Sequence, residues 1–168
     1  MTARPRRVAV NLPHPSPPSA NWADCYQVDV RASGLTAEDA ARLAVGHFPA
    51  WVRSLMRIRD AAVGVVGLKP STHHLSAHTD MIGIFPVISR SPGQIVLGID
   101  DRHLDFRLVI DVDSADGVPQ VIRATTLVDR KILLGRLYIA AITPFHKLVV
   151  GSALTNLGRQ LTPVTRTA

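Results

Sequence analysis

Apolar and polar positions alternate along two stretches of the chain with the period of a strand. Between Asp24 and Arg31, Tyr26, Val28 and Val30 interleave with Gln27 and Asp29, the pattern of a half-buried strand. Over 103–113, Leu104, Phe106, Leu108, Ile110 and Val112 interleave with His103, Asp105, Arg107, Asp111 and Asp113. One side of that strand is expected on a core and the other in water. Shorter strand-like segments lie near 82–89, 94–100 and 118–129, with Ser91-Pro92-Gly93 and Asp100-Asp101-Arg102 as hairpin turns.

Helical spacing governs the rest. Thr36 is placed to cap a helix with Glu38 and Asp39 in its first turn, ending near Gly46. Pro49 opens a second helix, in which Trp51, Leu55, Ile58, Ala62 and Val65 make one apolar face. A last helix falls within about 137–161. Either Thr143-Pro144 caps it, or it starts at Leu137 and carries Pro144 inside. Thr143, Lys147, Gly151, Thr155 and Arg159 form its polar stripe, and Leu148, Val149, Leu154, Leu157 and Leu161 cover much of the rest.

These elements predict an α+β domain: a curved antiparallel sheet wrapped around a long C-terminal helix, with two short helices after the first strand. The chain of 168 residues fits one domain. Its expected parts are a Pro-rich arm over 1–20, extended or disordered, the domain over 21–162 and a tail over 163–168. Five prolines between Pro5 and Pro18 exclude regular helix from the arm.

Charge and motifs narrow the chemistry. The net charge is +6, but Arg4, Arg6, Arg7, Arg159 and Arg166 supply nearly all of it from the two ends. Without a basic stripe interleaved with aromatics, nucleic acid is not an expected partner. No apolar run reaches the ~18 residues of a membrane span, and no signal-peptide pattern is visible, so the expectation is a cytoplasmic protein with no integral membrane segment. Cys25 is the sole cysteine and reads as a buried thiol. No dinucleotide, phosphate-loop or serine-hydrolase motif occurs, and no cofactor is expected.

Four groups carry candidate chemistry. His73, His74, His78 and Asp80 resemble a metal set, but they sit in a loop without H-E-x-x-H, and no metal is expected. His103 beside Asp105 is the makings of a general base; opposite Leu104 and Phe106, these residues and Arg107 also read as a charge ladder on the solvent side. His146 and Tyr138 are a second candidate pair, with Arg136 nearby. Trp51 reads as core or as a pocket rim.

Asn21-Trp22-Ala23-Asp24, Pro49-Ala50-Trp51-Val52-Arg53, the block from Leu97 through Arg107, and Gly135-Arg136-Leu137-Tyr138 through Pro144-Phe145-His146 resemble a bacterial family catalogued as domain of unknown function 2867. The element order is similar to the helix-grip fold of the START and Bet v 1-like (SRPBCC) superfamily. That resemblance implies a cavity between the sheet and the last helix, on the Phe106 side, for a small hydrophobic ligand. Trp51, Phe106, Arg136, Tyr138 and His146 are then its expected lining. The alternatives are an enzyme acting on an apolar or polyketide-like molecule, through His103 with Asp105 or His146 with Tyr138, a protein–protein adaptor, and a membrane-surface domain docking through the last helix.

Overall fold

The computed structural model describes residues 4–32, 34–65, 80–100, 104–113 and 120–161, with backbone alone for 58–65. His73, His74, His78, Asp101, Arg102 and His103 lie outside the described residues. The chain runs β1 (Arg6–Val8), β2 (Trp22–Val30), α1 (Ala37–Val45), α2 (Ala50–Val65), β3 (Met81–Ile82), β4 (Phe85–Arg90), β5 (Gln94–Asp100), β6 (Leu104–Val112), β7 (Gln120–Arg130) and α3 (Leu133–Leu161). The strands form one antiparallel sheet in the order β1-β2-β7-β6-β5-β4-β3. The fold is α+β, a curved sheet with two helices after β2 and the long α3 across its inner face.

Local chemistry accounts for several element ends. Thr36 accepts from the Asp39 amide at 3.1 Å and Asp39 reaches back to the Thr36 amide, a reciprocal cap that satisfies two orphan donors of α1. Ser91 and Gln94 exchange backbone bonds around the expected turn between β4 and β5. The segment expected near 82–89 is split by Gly83, whose φ is +62° and where a Cβ would fall 2.2 Å from the Val45 carbonyl oxygen. Only glycine fits that close approach.

The core lies on the inner face. Val28, Val30, Ile95, Leu97, Leu108, Ile110, Val112 and Ile122 pack under Ala37, Ala40, Ala41 and Ala44 of α1 and under Leu154 and Leu157 of α3. The alanines let α1 sit directly on the strands. A fully buried leucine such as Leu157 contributes about 1.5–3 kcal/mol.

The outer face departs from the expected solvent side. Val96, Val109 and Leu127 are buried there, covered by Val10 and Ala20 from the arm. Val109 interrupts the polar phase of β6, and that gap is where the arm lies. The arm also extends the sheet: Arg6, Arg7 and Val8 pair with Gln27, Tyr26 and Cys25. Cys25 is buried, receives a hydrogen bond from Thr125 Oγ1 at 3.2 Å, and has its pKa raised chiefly by burial.

Two helical expectations are corrected. α3 starts at Leu133 and passes through Pro144, so Thr143-Pro144 is not its cap. Thr143 Oγ1 instead donates to the Ile139 carbonyl one turn back at 2.6 Å. In α2, among the described side chains, Val52 is buried and Trp51 is 46% exposed, so Trp51 lies off the packed side rather than in the core.

Candidate functional site

At one end of the inner face, the strand pairings set residues in rows. Trp22, Val128 and Phe106 occupy one row across β2, β7 and β6, and Asp24, Thr126 and Leu108 the next. The first row is apolar. The second places a carboxylate and a hydroxyl in phase with the core residues Tyr26, Val28 and Val30.

Asp24 has 0% of its side chain exposed. Arg7, brought alongside by the β1–β2 pairing, donates from Nε to Asp24 Oδ1 at 2.6 Å, and its guanidinium pKa is raised mainly by that bond. Oδ2 is sealed from solvent and has no hydrogen-bond partner among the described residues. An open groove of about 420 Å³, lined by Arg7, Val8, Ala9, Val10, Ala23 and Asp24, runs beside this pair.

α3 brings His146 to the same place. Its ring stands edge-on to Trp22, with centroids 5.6 Å apart at 75°. Its Nε2 is also sealed and without a hydrogen-bond partner among the described residues. Burial lowers the His146 pKa; the charge of Asp24 opposes that shift and Lys147 adds to it. His146 is therefore neutral at pH 7, with an imidazole nitrogen ready to give or take a hydrogen bond. Tyr26, on the inner face of β2, has its pKa raised first by burial and then by the charge of Asp24; Arg7 opposes the rise, and a weak hydrogen-bonding contact with the Asp24 carboxylate adds to it.

The expected site residues separate into those that meet here and those that do not. Phe106 is half-buried in the first row, stacked on Phe85 at 5.4 Å, with Phe48 edge-on to Phe85. His146 joins that row through Trp22. Tyr138 is half-buried two turns earlier on α3, while Arg136 and Trp51 are exposed. Asp105 lies on the opposite face of β6, bonded to Lys131 at 2.6 Å, and Arg107 on that face pairs with Asp100 at 2.6 Å. Asp80 is paired with Arg90. No cluster of three metal-type ligands occurs among the described residues. His103 lies outside the described residues, so its pairing with Asp105 is not seen; the described contacts of His146 are with Trp22 and, through charge, with Asp24. Asp24, Trp22 and Arg7 were not expected in the site. The legible signal was Asp24 itself, a charge in phase with the apolar residues of its strand.

A family model described as protein of unknown function (DUF2867) matches residues 16–153. The chain belongs to this family. The match spans β2 through most of α3, so Trp22, Asp24, Phe106 and His146 all fall inside the DUF2867 region, while Arg7 lies before it. No curated protein matches the chain.

Proposed function

We propose that this DUF2867 domain binds a small, largely apolar molecule bearing one hydrogen-bonding group, at the Trp22–Asp24–His146 end of the inner face. One observation carries the reading: Asp24 Oδ2 and His146 Nε2, two polar atoms coupled electrostatically, are both sealed and both unpaired among the described residues. A buried polar atom left unmet costs about 1–3 kcal/mol, and a ligand hydroxyl that donates to the carboxylate and meets the imidazole removes that cost. In the apolar row Trp22–Val128–Phe106, the half-buried Trp22 and Phe106 supply contact surface for the rest of the molecule over the buried Val128. The element order, similar to the helix-grip folds of START and Bet v 1-like proteins, supports the same location between sheet and last helix.

Native mass spectrometry of freshly purified protein tests this. The expected result is a small-molecule adduct that organic extraction removes and that Asp24→Asn and His146→Ala weaken. A bare mass in the fresh protein, together with no displaceable binding of anilinonaphthalene sulfonate, refutes it.

The neutral imidazole beside a carboxylate also favours a second reading, in which His146 accepts a proton from the bound molecule. A bound ligand recovered chemically unchanged after long incubation supports the carrier; a converted one supports the enzyme.

A further inference from the structure

We propose that the N-terminal half of α3 is a docking face for an anionic lipid bilayer surface. Leu133, Leu137, Phe145 and Leu148 are 70%, 61%, 49% and 64% exposed. The leucines, with exposed Ala141 and Pro144 between them, recur at spacings of three and four, so they share one face. The opposite side of this half of the helix carries the buried Gly135 and Ile139 and the sealed edge of His146. An unbroken apolar stripe of this length on a folded domain marks a surface with a partner.

Charge identifies the partner. α3 has 29 residues and none is Asp or Glu. Arg136 and Lys147 are both exposed and lie along one border of the stripe, three turns apart. A helix with leucines and a phenylalanine on one face, bordered by cations and free of acids, is built to lie in the interface of an acidic bilayer. A second copy of the chain would offer the same acid-free surface with no counter-charge for Arg136 and Lys147. By length and composition α3 could cross a membrane, with a mean hydropathy of 1.4 and 11% of its most apolar window buried. The same helix carries Leu154 and Leu157 into the domain core, which holds it at the surface instead.

Co-sedimentation of the full chain with phosphatidylcholine vesicles, with and without phosphatidylglycerol, tests the proposal. The protein is expected to sediment with the phosphatidylglycerol vesicles and to stay largely free with phosphatidylcholine alone. The double variant Leu137→Glu, Leu148→Glu removes two apolar anchors and should lower partitioning by about two orders of magnitude or more. Arg136→Gln with Lys147→Gln should lower it about 25-fold, at ~5-fold per charge. All four positions are exposed, so unchanged unfolding curves will separate lost docking from lost folding. Absence of sedimentation with the acidic vesicles overturns the proposal, as does equal binding to neutral ones. A dimer in sedimentation velocity that Leu137→Glu, Leu148→Glu dissolves also overturns it, because a second copy then covers the face.

Discussion

Replacing Asp24 with leucine should make the ligand-free domain more stable, and this is the sharpest test of the site. Leucine branches at Cγ as aspartate does, so it fits the same direction of approach among Trp22, Tyr26 and Thr126. The substitution removes Oδ2, which is sealed and unpaired among the described residues, and so relieves a cost of about 1–3 kcal/mol. Against this stands the loss of the hydrogen bond from Arg7. That side chain is 61% exposed, and water screens and replaces most of what the bond contributes. The net expectation is a gain of about 1 kcal/mol, or a rise in Tm of about 2–4 °C for a chain of this size. Denaturant unfolding of wild-type protein, Asp24→Leu and Asp24→Ala, all after organic extraction, gives the comparison. Asp24→Ala should gain less, because the smaller side chain leaves a gap. The stabilised Asp24→Leu protein should lose the adduct seen in fresh wild-type protein, the signature of a residue kept for binding at a cost in stability. A loss of about 2 kcal/mol or more in Asp24→Leu would refute the reasoning. Asp24 would then be a structural tie holding β1 through Arg7, with its second oxygen satisfied in the native protein.

Other outcomes follow from the same geometry. Leu157→Ala should cost about 2–5 kcal/mol and Leu148→Ala less than about 0.5 kcal/mol in urea unfolding, since the first is buried and the second is on the exposed face of α3. Asp105→Ala should cost about 0.2–1 kcal/mol, the range of a cross-strand or partly exposed ion pair; a loss of several kcal/mol would return the outer face of β6 to consideration as a site. The His146 pKa is lowered from 6.5 in the folded state, so the unfolded chain binds that proton more readily. Stability measured by denaturation should therefore fall as pH drops below about 6.5 and level off above it, and His146→Gln should flatten that slope.

Much of the architecture was legible in the sequence because it rests on local rules. Thr36 and Asp39 cap α1, period-2 alternation places Leu104 through Val112 in β6, and Ser91-Pro92-Gly93 turns the chain into β5. Each of these depends on residues within a few positions of one another. Other features had no local answer. Pro144 looks the same at a first turn as inside a helix, and the packing of α3 on the sheet decided for the interior. Trp51 and Val52 each fit an amphipathic face, and only the tertiary structure shows Val52 buried and Trp51 exposed. The arm read as extended or disordered, and its pairing with β2 depended on a free edge that the local pattern does not show. Asp24 was visible as a charge on an apolar phase, yet its partners were not. Arg7 reaches it through an antiparallel pairing, and His146 arrives from the far end of the chain. Sequence period sets which way a side chain faces; only long-range packing sets what it meets there, and whether a buried oxygen or nitrogen is left without a partner.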